Sequence, residues 1–114
     1  MKYALLIHVN DDASAGLSDD ERAAISREYF AIRDEPGVYG GDHLQPVHAA
    51  TTVRVQDGQT LTTDGPFADT KEYLGGYYLL EADDLDRAIE VASRVPAARM
   101  GGAIEVRPIV EHAS

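Results

Sequence analysis

The chain has 114 residues, 44% of them hydrophobic, with a formal net charge of −10 and no cysteine. That length suits a single domain over residues 1–114 with a core of its own, and the composition excludes a disordered chain. The absence of cysteine excludes disulfides, thiolate metal sites and a thiol nucleophile, and the acidity opposes direct contact with nucleic acid or an anionic membrane.

The opening "KYALLIHV" alternates. Tyr3, Leu5, Ile7 and Val9 face one way and Ala4, Leu6 and His8 the other, which predicts a strand with one strongly apolar face. The run is too short for a signal segment or a membrane span, so the chain reads as soluble and cytoplasmic. The turn formers of "NDDASAG" end it. "SDDE", Ser18 to Glu21, has the spacing of a capping box, and its acids suit the positive end of a helix dipole. Ile25, Tyr29 and Ile32 then make an apolar stripe at i, i+4 and i+7, predicting a helix over residues 18–34 that Pro36-Gly37 ends.

"VYGGDHLQPVHAA" reads as a loop, because Gly40-Gly41 and Pro46 spoil regular structure. "TTVRV" and "QTLTT" read as two strands joined by Asp57-Gly58, a type I′ hairpin signal. "DGPF" closes the second arm, a polar loop follows, and "GGYYLLEA" is the next strand. Asp83 is placed to cap a second helix whose stripe is Leu85, Ala88, Ile89, Ala92 and Val95. "AIEVRPI" is the last strand.

The order predicts a ferredoxin-like βαββαβ fold of the α+β class, an antiparallel sheet with both helices on one face. Its other face must then meet solvent, a ligand or a second subunit. Ala4 and Leu6 make that face partly apolar, and a large bare apolar patch is unusual in a monomer. A homodimer packed sheet to sheet, with a cavity between the sheets, is the economical expectation.

"DGPF", "TKE", "GGYY" and "PAAR" in that order, with "GGDHLQP" and "MKYALLIHV" before them, closely resemble the DGPF family of YCII-related proteins over nearly the whole chain. The resemblance implies a dimeric α+β barrel of bacterial origin. It also implies a link to extracytoplasmic-function sigma factors, beside which relatives are often encoded, and so a stress-linked role. Some members of the wider superfamily resemble muconolactone-isomerase-like barrels and have a proposed His–Asp acid–base pair, with the His drawn from the first helix. Residues 18–34 hold no His, so that pair does not carry over.

The chemistry must come from other residues. Gly65 and Pro66 make "DGPF" a tight turn with Phe67 as a buried plug, whereas the catalytic reading puts Asp64 at a pocket mouth as acid or base. Asp69, Lys71 and Glu72 read either as a solvated charge run or as groups that bind or protonate a polar substrate. His8 is the best single candidate for a general base if its face lines the cavity, and is otherwise a hydrogen-bonded structural residue. Tyr73, Tyr77 and Tyr78 are candidates for stacking on a planar ligand, with core or interface as their other reading, and since Tyr77 and Tyr78 face opposite ways at most one of those two looks into a given cavity. His43 is a further ligand-binding candidate. With Asp42 and His48 it makes the only metal-capable cluster, but the spacing matches no standard site. Gly75-Gly76 implies close backbone approach or a bulge. No nucleotide fingerprint, phosphate loop or hydrolase elbow occurs, so no cofactor is expected. Two functions stay open: cofactor-free acid–base catalysis of an isomerase or lyase type, and a non-catalytic module that senses a small molecule and acts through a sigma factor.

Overall fold

A computed structural model describes residues 1–68 and 70–112 of the chain. Its strands and helices are β1 (Lys2–Asn10), α1 (Asp19–Ile32), β2 (Val38–His43), β3 (Thr51–Gln56), β4 (Gln59–Asp64), β5 (Glu72–Glu81), α2 (Leu85–Ala92) and β6 (Ala103–Pro108). Four strands form one sheet in the order β2-β5-β1-β6, every neighbouring pair antiparallel. Both helices pack on the face that carries Tyr3, Leu5, Ile7, Tyr78 and Leu80. This is the ferredoxin-like α+β architecture that the element order implies.

Three strands fall where the local sequence misleads. Val38–His43, expected as loop, is the edge strand β2. Its glycines are there because β5 lies close: a Cβ on Gly41 would stand 2.5 Å from the Tyr77 carbonyl oxygen. Strand glycines of this kind mark close backbone approach rather than a break. With that place taken, the hairpin β3–β4 is not a pair of core strands. It forms a separate two-stranded sheet between β2 and β5 in the sequence, with Asp57 and Gly58 at positive φ as a type I′ turn requires.

α1 starts as its sequence predicts. The Ser18 hydroxyl accepts from the Glu21 backbone N–H at 3.1 Å, and the Ser18 N–H donates to the Glu21 carboxylate at 3.2 Å. α2 is capped by Asp84, not Asp83: the Asp84 carboxylate accepts from the Arg87 N–H at 2.9 Å. The buried stripe of α2 and its C-terminal extension is Ala88, Val91, Ala92 and Val95. Leu85 and Ile89, assigned to that stripe on spacing alone, are half-exposed because the helix is rotated toward its small residues. "DGPF" is a turn, with Gly65 at φ +95° and its N–H donating to the Ala50 carbonyl at 2.7 Å. Phe67 is no plug: it is 79% exposed in the single chain.

Candidate functional site

α1 does not lie flat on the sheet. A cleft of about 660 Å³ opens between its inner face and the strands, within the usual range for small-molecule pockets. Arg22, Ile25, Ser26, Tyr29, Phe30 and Arg33 line it from α1. Their spacing of i, i+3, i+4, i+7, i+8 and i+11 puts them on one side of the helix. Ile7, Val9 and Tyr78 form the floor, Asn10, Asp11 and Ser14 close one end, and Leu44, Gln45 and Pro46 form a lip beyond β2.

The floor depends on a bulge. Along β1–β5, Ile7 pairs with Gly76 but His8 pairs with Leu74, so Gly75 is the extra residue. Past it the side-chain alternation shifts by one. Tyr73 comes opposite Val9, on the face of β1 that meets the helices, and lines the cleft. Leu74 comes opposite His8 on the other face. Neither glycine is an empty cradle. A Cβ on Gly75 would meet Val9 at 3.0 Å, and one on Gly76 would stand 2.8 Å from the Asp42 carbonyl oxygen. Close approach and bulge, both read from "GG", are both present.

Tyrosines occupy two acids, Asp11 at the cleft and Asp42 on the other face of the sheet. The Tyr73 hydroxyl donates to the Asp11 carboxylate at 2.5 Å, and the Tyr77 hydroxyl to Asp42 at 3.2 Å. The bond to Asp11 is the main reason the Tyr73 phenol is pushed up to about 12, and the bond to Asp42 raises Tyr77 in the same direction. Tyr78 donates to the Tyr29 carbonyl at 2.6 Å, and burial first of all pushes its phenol up to about 12. Burial likewise raises Tyr29. All four phenols are thus held protonated at neutral pH, as donors rather than bases. The two cations of the lining differ from the acids. Arg22 donates to the Ser14 carbonyl at 3.0 Å and Arg33 lies over the Phe30 ring at 5.5 Å, and neither has a carboxylate partner among the described residues.

Of the residues singled out in the sequence, His43, Tyr73 and Tyr77 border this cleft, although Tyr77 pairs with Leu6 and so turns its side chain to the open face of the sheet. His8, Asp64, Lys71 and Glu72 do not. His8 lies on the open face of the sheet, where its Nε2 is 3.2 Å from the Glu105 carboxylate. Glu72 pairs with Asn10 and so falls on a diagonal to His8 across β1–β5. Asp64 ends β4 at the base of the hairpin, paired with Thr51, and both it and Lys71 are exposed. Asp69 lies outside the described residues. No three His, Asp or Glu side chains are grouped to hold a metal among the described residues. No described helix is long and apolar enough to cross a membrane.

Asp11, Arg22, Tyr29 and Arg33 were not singled out. A signal existed for the arginines: they share a helix face with Ile25 and Tyr29, where a fully packed helix carries no charge. Asp11 gave none, since one acid in a turn-rich segment looks like any other.

A family model described as "YCII-related domain" matches residues 1–113. An uncharacterised protein of Rhizobium meliloti (strain 1021) is 36% identical over 114 residues, covering 96% of this chain and 92% of that protein.

Proposed function

The chain belongs to the family of YCII-related domains, and on that premise we propose that it is a cytoplasmic homodimer that binds a small organic molecule in the cleft beneath α1. The observation that carries this is the cleft itself, walled by aromatic rings and edged by hydrogen-bond donors and two arginines. Pockets with that mixture of apolar wall and few polar groups are where small ligands bind.

Dimerisation is supported by what the single chain leaves bare. Its radius of gyration is 16.2 Å, against about 13 Å for a compact domain of this length. The hairpin β3–β4 accounts for much of that, with Val53 59% and Val55 67% exposed. An isolated two-stranded hairpin is marginal in water. A second copy packed against the open face and the hairpin would cover both.

Cofactor-free acid–base chemistry is the catalytic form of the proposal. Two imidazoles suit it: His43 at the cleft, and His8 beside Glu105 where a partner subunit would close over it. Turnover lost in folded His43→Ala but kept in His8→Ala puts the chemistry in the cleft, and the reverse puts it between the sheets. The exposed Val53, Val55 and Leu61 favour a second reading, a ligand-sensing module that acts through a protein such as an extracytoplasmic-function sigma factor. It predicts binding to such a factor, lost in Val55→Lys, and no turnover.

Native mass spectrometry tests the main proposal. A dimer carrying non-covalent mass is expected, and Ile25→Trp, which fills the cleft, should keep the dimer and lose that mass. A monomer overturns the dimer. Mass retained in Ile25→Trp overturns the site.

A further inference from the structure

We infer that the cleft selects an aromatic organic anion, a flat ring bearing a carboxylate. The inference rests on the cleft being the binding site and adds the class of ligand that it takes.

Three observations point to an anion. The chain carries 20 acidic and 10 basic residues, so an arginine facing a cavity has an abundance of possible carboxylate partners. Arg22 and Arg33 nevertheless face the cleft with none among the described residues. Arginines beyond α1 on this face of the protein are tied down: Arg94 and Arg87 to Glu35 and Glu90, and Arg99 to Glu28, whereas Arg27, on the outer side of α1, has no carboxylate partner among the described residues but does not line the cleft. The cleft's own acid is also taken. Asp11 accepts the Tyr73 hydroxyl, and a carboxylate that is already bonded competes less for a nearby guanidinium, while Asp42 accepts from Tyr77 on the other face of the sheet, in line with Leu6. What remains free at the cleft is positive.

The guanidinium geometry points to a carboxylate in particular. Arg33 stands over the Phe30 ring at 5.5 Å, a contact that limits its freedom before any ligand arrives. A planar fork held in this way matches a carboxylate with two parallel hydrogen bonds, and less entropy is lost on binding. Arg22 keeps one arm on the Ser14 carbonyl, at the other end of the helix face. The two residues are eleven positions apart, or about 16 Å along the axis, so each cation commands one end of the cleft.

The rings point to an aromatic body. Tyr29, Phe30, Tyr73 and Tyr78 all line the cavity, from both its helix wall and its strand floor. A flat ligand lying between wall and floor meets ring faces and edges on both sides. A phenolic substituent on the ligand would donate to the Tyr73 oxygen, whose own proton is engaged by Asp11.

The test uses matched acids and amides of one shape: benzoate against benzamide, phenylacetate against phenylacetamide, naphthoate against naphthamide. Each is titrated into the full chain by calorimetry, with amide chemical shifts reporting the contact residues. The acids are expected to bind about tenfold or more tighter than their amides, the scale of one charge-assisted hydrogen bond. Arg33→Gln or Arg22→Gln should remove that difference while amide binding stays the same. Both arginines are exposed, so the variants fold, and Arg33→Lys keeps the charge without the fork. Acids and amides binding equally, with shifts at Tyr73 and Ile25, would overturn the anion and leave the cleft reading intact. Binding of both at residues away from the cleft, or by neither, would sink the cleft reading as well. A tenfold preference unchanged in both arginine variants would place the selectivity elsewhere and defeat the inference.

Discussion

α1 and α2 cover the same face of the same sheet, and they do so differently. α2 presents small residues: Ala88 and Val91 are 0% exposed, Ala92 is buried, and Val95 just beyond the helix is also 0% exposed. Its backbone comes close to the strands and nothing fits between. α1 presents Arg22, Ile25, Tyr29, Phe30 and Arg33, and among its described residues only Ile32 is buried. Large and charged side chains hold it off. One helix therefore closes the core and the other leaves room for a ligand, and the difference lies in side-chain size and charge, since both are well capped at their N-termini. The free C-terminal end of α1 is then tied to α2 by ions: Glu35 bonds Arg94 and, at 3.4 Å, Arg87.

The contrast is open to test by substitution. The largest expected effect is Val91→Asp, which places an unpaired carboxylate in a fully buried site. It should cost more than about 4 kcal/mol, near the whole stability of a small domain, and circular dichroism should show an unfolded chain. Ile25→Asp in α1 should still fold, since its side chain borders an open cleft. Equal damage from the two would mean that α1 is packed as tightly as α2. Next is Gly76→Ala in the cleft floor. Its Cβ would press on the Asp42 carbonyl oxygen, which is backbone and cannot swing away. A loss of about 1–3 kcal/mol in urea denaturation is expected, with β2 amides the first to lose hydrogen-exchange protection.

Smaller effects follow from titration. Tyr73 and Tyr78 are held protonated, with phenols pushed up to about 12, whereas an unfolded tyrosine titrates near 10. Folding thus favours the protonated form. The stability that comes with it is fully present below about pH 10 and is lost as pH rises toward about 12. Phenolate absorbance should show late-titrating tyrosines among the six, and Tyr73→Phe should remove one. The smallest effect is Glu35→Gln. The Arg94 hydrogen bond holds the Glu35 carboxyl below its ordinary range, so its contribution is present above that range and fades as pH falls through the lowered value. Arg94 is exposed and Glu35 half-buried, so the effect of the substitution should be small and weaken in high salt.

The elements with self-contained signals were legible in the sequence. The capping box at Ser18, the Asp57-Gly58 turn and the alternation of β1 are local patterns, and each stands where it was read. β2 was not legible, because its glycines answer to the neighbouring β5 and not to their own dihedral preference. The cap of α2 slipped by one residue because Asp83 and Asp84 offer the same carboxylate. Tyr73, Tyr77 and His43 were named as ligand contacts in a cavity between two sheets, which would need a second subunit; in the single chain they border a different cavity, the cleft under α1. Asp11 and the two arginines needed the tertiary structure, since the loop after β1 meets β5 only in three dimensions.

The bulge at Gly75 gives this sheet a kind of reading frame. Everything on β5 after it is in one phase, and everything before it is in the other. Were Gly75 an ordinary paired residue it would stand opposite His8, Leu74 would come opposite Val9 under α1 and Tyr73 would pass to the other side of the sheet, with no residue changed. A one-codon deletion of Gly75 would instead leave Leu74 opposite His8 and Tyr73 opposite Val9, so the frame before the bulge is the one that a straight strand of one residue less would have. Within such a fold the lining of the cleft depends on where the extra residue sits as much as on which residues are present.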